Sequence, residues 1–401
     1  MNLAQYFLDH NLATRRDKVA LRYRDACYTF GEMHEGSCRF GTHLRALGIR
    51  EEDRVLIALD DTPAFAVAWF GIVRVGAVVA MMNPGVPTKD WSYYLRYTRA
   101  RVLVTTAAYA DANAAAIEEA LGRQLAAVIR VDVDEDAIRA RSADCPYGDT
   151  GPDDPAVWLF SSGSTGAPKA CVHAAQDFVF NTEMYAKQVL GIREDDVTLG
   201  VPKLFFGYAT GTNLMFPWAV GATTCLFSER ATVDEVVANI ERYKPTIVTN
   251  VPTMIHRMLE HPRAGEMDLS SIRLVLSAGE ALPAELYTRW MNRTGVEILD
   301  GIGSAEMFHI YITNWPGDVR VGTLGKLVPG YTARIVGDDE LPVKPGEIGT
   351  LWVKGASNAI CYHQDRQKTR VTFRGEWCTT GDQFRQDEDG YFIYCGRADD
   401  L

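Results

Sequence analysis

The sequence has little that would send it to a membrane, to nucleic acid or out of the cell. Its longest apolar stretch, from Ala64 to Met82, is broken by Arg74. No run reaches the roughly 18–20 residues that span a bilayer, and this stretch reads as buried helix, turn and strand. Basic residues are in deficit, with 41 Lys and Arg against 52 Asp and Glu (41 − 52 = −11). That excludes a broadly cationic face for nucleic acid or anionic lipid. The 8 cysteines contain no CxxC pair. Nothing from Met1 to Arg16 resembles a signal or transit peptide, so the thiols are expected to be reduced in a cytoplasmic protein. Repeats and low-complexity tracts are absent as well.

What is present is a globular mixture, 47% hydrophobic and 23% charged, over 401 residues, enough for two or three folding units. From Asp53 to Thr106 short apolar strands (Arg54–Leu59, Ala77–Met82, Val102–Thr105) alternate with helix-length segments (Ala64–Val73, Trp91–Thr98). Such alternation predicts α/β architecture with mostly parallel sheets flanked by helices. The segment 110–143 reads as surface helix plus a strand at Ala126–Val131, and Asp149–Pro155 as a linker. A second alternating block follows, with strands at Thr198–Val201, Thr246–Asn250, Leu274–Ser277 and Glu297–Asp300 and a helix at Val233–Tyr243. After Val321, short strands joined by turns such as Lys344-Pro345-Gly346 predict a small β-rich, barrel-like subdomain. The expected division is 1–190, 191–320 and 321–396, with 397–401 as a hinge.

The strongest local signal is Trp158-Leu159-Phe160-Ser161-Ser162-Gly163-Ser164-Thr165-Gly166-Ala167-Pro168-Lys169. An apolar strand runs into a loop of hydroxyls and glycines closed by a lysine. Glycine lets the backbone approach an anion, successive N–H groups and hydroxyls donate to phosphate oxygens, and the lysine adds charge. The loop is not of the Walker type, because Pro168 separates Gly166 from Lys169 and Ala170 follows. Nor is it a dinucleotide GxGxxG fingerprint.

This loop resembles the phosphate loop of the acyl-adenylate-forming superfamily, which includes acyl-CoA synthetases, peptide-synthetase adenylation domains and luciferases. The superfamily's other motifs follow in order, and the resemblance covers the chain from about Tyr28 to Leu401. Ala170 stands where the superfamily usually has Gly. The resemblance implies that Thr165 and Lys169 act on phosphate together with Ser161, Ser162, Gly163, Ser164 and Gly166. It implies that Ala278, Gly279 and Glu280, in Ser277-Ala278-Gly279-Glu280, line the adenine face. In Asp300-Gly301-Ile302-Gly303-Ser304-Ala305-Glu306, Asp300 would meet the adenine amino group beside Gly301, and Glu306 would bind Mg²⁺, a hard cation suited to carboxylate oxygen. Ala305 replaces the usual threonine. In Thr379-Thr380-Gly381-Asp382, Asp382 would accept from the ribose hydroxyls. In Gly396-Arg397-Ala398-Asp399, Arg397 would reach ribose or phosphate and Asp399 would be the hinge to a small C-terminal domain. That domain, with its catalytic lysine, is expected to lie beyond this chain.

Two stretches closely resemble the benzoate-CoA ligase subgroup: Lys203-Leu204-Phe205-Phe206-Gly207-Tyr208-Ala209-Thr210-Gly211, and Asp300 through Glu306-Met307-Phe308-His309. Aromatic residues beside small ones make a flat slot for one ring. The implied acid-binding residues are Phe206, Gly207, Tyr208, Ile302, Gly303, Ser304 and His309. No acidic residue lies between Lys203 and Ser228 to hold an amino acid's α-amine, as peptide-synthetase domains require. The resemblance therefore implies an acid–thiol ligase using ATP, Mg²⁺ and coenzyme A to make an aryl-AMP and then an aryl-CoA, from benzoate or 2-aminobenzoate. Two alternatives stand beside it: a module loading a carrier protein, and a non-catalytic sensor of nucleotide or aryl-AMP.

Overall fold

The computed structural model describes residues 1–161 and 166–397 and divides into two compact units. One takes in Met1–Gln176, Lys203–Phe206 and Leu226–Glu229. The other takes in Asp177–Pro202, Gly207–Cys225 and the chain from Arg230 onward.

In the first unit, strands lie side by side in the order Lys169–Ala174, Pro155–Ser161, Val78–Met81, Arg54–Ile57, Val102–Thr105, Ala127–Arg130. All neighbours are parallel except Lys169–Ala174, which runs antiparallel to Pro155–Ser161. Val78–Met81 and Val102–Thr105 are buried at every position, as a parallel sheet covered on both faces requires. The helix Phe30–Ala46 opens on a capping box in which Thr29 and Glu32 satisfy each other's backbone N–H groups. It packs on Pro63–Arg74, whose first-turn proline has no N–H to leave unpaired. The helix expected within 110–143 is instead three short ones, Ala107–Ala112, Ala114–Leu121 and Glu135–Arg139. Asn113 and Gly122 punctuate the alanine-rich run at their junctions.

Arg74 closes its helix inside the protein, 2% exposed. A buried charge must be paired, and Arg74 donates to both carboxylate oxygens of Asp9 at 2.7 Å. His34 Nδ1 lies 2.8 Å from Asp9 Oδ1. The hydrogen bond to Asp9 pushes the imidazole up to about 9, with Cys38 adding to it and burial opposing it.

In the second unit the strand order is Lys326–Leu327, Ile310–Thr313, Ile298–Gly303, Leu274–Ser277, Ile247–Asn250, Val197–Gly200, Thr223–Leu226. Pairing is parallel from Thr223–Leu226 as far as Ile298–Gly303 and antiparallel beyond it. Val233–Tyr243, Pro252–Glu260 and Ala284–Thr294 are the crossover helices. A separate antiparallel sheet holds Thr332–Val336, Gly349–Lys354, Trp377–Gln386, Phe373–Arg374 and Phe392–Arg397. Its described pairings do not return on themselves into the expected barrel, and Phe373–Arg374 is only two residues long. The 8 cysteines carry free thiols. Among the described residues no helix is long and apolar enough to cross a membrane.

Candidate active site

The phosphate-loop motif is flanked by two antiparallel strands of the first unit. Ser161 ends one strand and pairs in register with Lys169, which begins the next. Gly166 opens the described return, with φ +137°. Ser162, Gly163, Ser164 and Thr165 lie outside the described residues. Two tyrosines of the helix Thr88–Thr98 brace the returning strand. Tyr93 donates its hydroxyl to the Pro168 carbonyl at 2.6 Å, and the Ala170 N–H donates to the Tyr97 hydroxyl at 3.2 Å. Their rings stack at 5.2 Å. These tyrosines lie outside every motif, some seventy residues upstream of the loop; the helical i, i+4 spacing is their only sequence signal.

Phe206 also falls in the first unit, 53% exposed, with its ring 4.5 Å from that of Phe205. The turn before it is held by Asp61, whose Oδ1 accepts from the Leu204 N–H at 2.9 Å. Burial pushes the Asp61 carboxyl up to about 7, against the opposing pull of Lys203. Lys203 itself donates to the Phe227 carbonyl at 2.6 Å.

The second unit gathers most of the remaining site residues. Asp300 sits on the edge of the parallel sheet and is 5% exposed. Ser277 Oγ donates to its Oδ1 at 2.8 Å. Burial pushes the carboxyl up to about 7, and Ser277 with the N–H groups of Leu282 and Gly301 holds it back. Ala278 is buried, and Gly279 turns with φ +88°. Glu280 points its carboxylate elsewhere: Oε2 accepts from the N–H and hydroxyl of Thr253, at 3.0 and 2.5 Å, at the start of Pro252–Glu260. Only its backbone remains to line an adenine face.

Between Asp300 and His309 the chain makes a strand, a 3₁₀ turn at Ala305–Met307 and a sharp reversal at Phe308, with φ +66°. Ile302 is half-buried. Gly303 is required by close approach, since a Cβ there would stand 2.5 Å from the His309 carbonyl oxygen. The Ser304 side chain lies beside the buried Tyr311 phenol.

His309 is 2% exposed. Its ring is surrounded by Phe216, Tyr208, Tyr185 and Phe308 at centroid distances of 4.8, 5.3, 5.4 and 5.4 Å. Burial pushes the imidazole down to about 3, so it is neutral at physiological pH. Nε2 faces the Tyr208 carbonyl at 3.0 Å. A carbonyl only accepts, so Nε2 carries the proton and Nδ1 presents a lone pair. Nδ1 and the Tyr208 hydroxyl, which follows Gly207, are both buried and, among the described residues, lack hydrogen-bond partners. Two π-helical stretches build this wall: Thr182–Val189, which carries Tyr185, and Gly211–Met215. A Cβ on Gly211 would lie 2.6 Å from His309 Cδ2, so only glycine lets the ring in. π-Turns often mark functional sites, but nothing in the sequence announces them.

Glu306 and Asp382 come together in the same unit. Glu306 Oε1 accepts from the Tyr362 hydroxyl at 2.5 Å. Asp382 pairs in register with Arg397, whose Nε lies 3.7 Å from Asp382 Oδ1. Burial raises the Asp382 carboxyl, Arg397 lowers it, and the Glu306 charge raises it further. Asp399 lies outside the described residues. Among the described residues no cluster of three or more His, Cys, Asp or Glu could hold a metal alone. Mg²⁺ asks for less: it keeps several waters and takes one or two carboxylates with substrate phosphates. The half-buried Glu306 carboxylate, a hard oxygen donor, fits that ion.

Residues 8–363 match the AMP-binding enzyme family. The benzoate–CoA ligase of Thauera aromatica is 38% identical over 407 residues, covering 100% of this chain and 77% of that protein. The anthranilate CoA ligase AuaEII, solved in complex with anthranoyl-AMP, is 37% identical with a TM-score of 0.96, covering 100% of this chain and 78% of that one. A benzoate CoA ligase from Burkholderia xenovorans is 37% identical with a TM-score of 0.91, over 100% and 80%. With the motifs in order and the fold matched along its whole length, the chain belongs to the AMP-binding enzyme family.

Proposed function

We propose that the chain activates a small aromatic carboxylic acid with ATP and passes the acyl group to CoA. The observation that carries this reading is the cluster of aromatic rings around the buried His309, three residues after Glu306, in a chain similar to benzoate and anthranilate CoA ligases. In the first step a carboxylate oxygen of the acid attacks the α-phosphorus, the bond to the bridging oxygen breaks and pyrophosphate leaves. The segment from Ser161 to Lys169 grips the departing phosphates. Asp300 and the Ala278–Glu280 backbone receive the adenine, while Asp382 takes the ribose hydroxyls with Arg397 beside it. Glu306 would hold Mg²⁺, which when bound neutralises phosphate charge. The work of the protein here is positional and electrostatic. In the second step the CoA thiol attacks the acyl carbon and AMP leaves, so no protein cysteine is consumed.

Within that class the groups around His309 favour an acid whose ring carries an N–H donor as a substituent. The Nδ1 lone pair of His309 and the hydroxyl of Tyr208 are buried and unpartnered, and leaving such groups unpaired is costly. An ortho amino group can donate one N–H to the imidazole nitrogen and the other to the phenol oxygen, which supports 2-aminobenzoate beside benzoate. The carrier-protein and sensor readings have no observation of their own. The test is pyrophosphate release with ATP, Mg²⁺ and a panel of acids. Benzoate and 2-aminobenzoate should stimulate it, whereas preferential stimulation by a medium-chain fatty acid would sink the aromatic assignment.

A further inference from the structure

Glu306 sits in an awkward piece of backbone. It lies in the short 3₁₀ turn Ala305–Met307, and the next residue, Phe308, is a non-glycine at φ +66°. Positive φ at a bulky residue persists only where surrounding structure enforces it. One strip of chain, 357–362, does so at three points. Ser357 Oγ, fully buried, donates to the Met307 carbonyl at 2.9 Å. The Ala359 N–H donates to the Glu306 carbonyl at 2.8 Å. The Tyr362 hydroxyl donates to Glu306 Oε1 at 2.5 Å.

Tyr362 is well placed to hold a side chain still. It is 5% exposed. Its N–H donates to Thr369 Oγ1 at 3.0 Å, and its ring packs on Phe373 at 5.5 Å. The phenol is therefore anchored through backbone and ring before it reaches the carboxylate. Glutamate has three rotatable side-chain bonds, and ordering them costs affinity each time a ligand is bound. Among the described residues, Oε2 of Glu306 accepts no hydrogen bond.

We propose that Tyr362 is a positioning residue for the reaction. It fixes the Glu306 carboxylate by one oxygen and leaves the other presented to the hard divalent cation that accompanies the nucleotide. This rests on the reading of Glu306 given above. In this role the phenol acts through the carboxylate it holds. A donor to one oxygen of a metal-binding carboxylate also settles which oxygen the ion meets.

The test uses Mn²⁺ as a spectroscopic substitute, titrated into the chain with a non-cleavable α,β-methylene analogue of ATP. Wild type, Y362F, E306Q and the double variant are compared. Y362F keeps the ring on Phe373, so its melting temperature and its affinity for metal-free nucleotide should match wild type. Its Mn²⁺ dissociation constant should rise about tenfold, the usual scale for a hydrogen bond to a charged group. In the E306Q background the same change should add nothing, because the two act as one unit. Unchanged Mn²⁺ affinity in Y362F would overturn the proposal, as would an independent, additive effect in the double variant. Equal Mn²⁺ binding by E306Q and wild type would overturn the Glu306 assignment itself, a separable failure.

Discussion

The Ser161–Lys169 segment of the first unit and the His309 cluster of the second offer different chemistry. The segment offers hydroxyls, a lysine and, by its glycine content, backbone N–H groups. The cluster offers buried side chains: an imidazole held neutral, a phenol without a partner among the described residues, and aromatic rings around them. Backbone donors are nearly independent of which side chain stands at a position, whereas a packed pocket depends on each one. Substitutions should therefore be tolerated in the segment and felt sharply in the second unit.

The widest contrast lies between Glu306 and Ser161. E306Q should slow acyl-AMP formation about 10²–10³-fold, the scale for losing one preorganised electrostatic group. S161A should cost less than about tenfold, since it removes one neutral hydrogen bond. Acid-dependent pyrophosphate release measures both, and equal losses would break the comparison. Next comes Gly211→Ala, whose methyl would collide with His309. Overpacking of this kind costs about 1–3 kcal/mol, so thermal denaturation should show a lower Tm, with a raised KM for the acid and an unaltered KM for ATP. Smaller still is Tyr208→Phe. Removing an unpartnered buried hydroxyl should leave stability unchanged or slightly higher, while the preference for 2-aminobenzoate over benzoate falls by up to about tenfold in kcat/KM.

The smallest effect belongs to a part of the first unit away from both sites. His34 has its affinity for a proton raised by Asp9, from 6.5 to about 9. Protonated His34 is favoured in the folded state, so its contribution is full below pH 6.5 and is lost as pH rises through about 9. Melting temperature should decline over that interval, and H34Q should flatten the decline. Asp9 runs the other way: its carboxyl is held below the usual range by His34, Arg74 and Tyr147 against the cost of burial. Its contribution is present above about pH 4 and is lost on acidification.

Legibility followed the same division. The proposed phosphate loop is written in one contiguous string, where strand, glycines, hydroxyls and lysine are neighbours in sequence. Strands and helices with strong patterning were equally legible, Val102–Thr105, Val233–Tyr243 and Leu274–Ser277 falling where periodicity places them. The pocket was legible only where motif and geometry coincide, at Tyr208 and His309. Tyr185 reaches the imidazole from a π-turn and Phe216 from the α-helix that follows one, and a π-turn leaves no period in the sequence. Tyr362 stands 56 residues from Glu306, and only the folded chain brings the two together. Glu280 shows the converse: a motif residue whose carboxylate the fold uses to cap a helix at Thr253.

The central claim is that the acid is a single aromatic ring. The direct measurement is the mass of the acyl-AMP formed from ATP and Mg²⁺ with benzoate, 2-aminobenzoate and hexanoate competing in one mixture. The account predicts benzoyl-AMP and 2-aminobenzoyl-AMP with little hexanoyl-AMP; hexanoyl-AMP as the main product, or adenylate formed without regard to the ring, would contradict it.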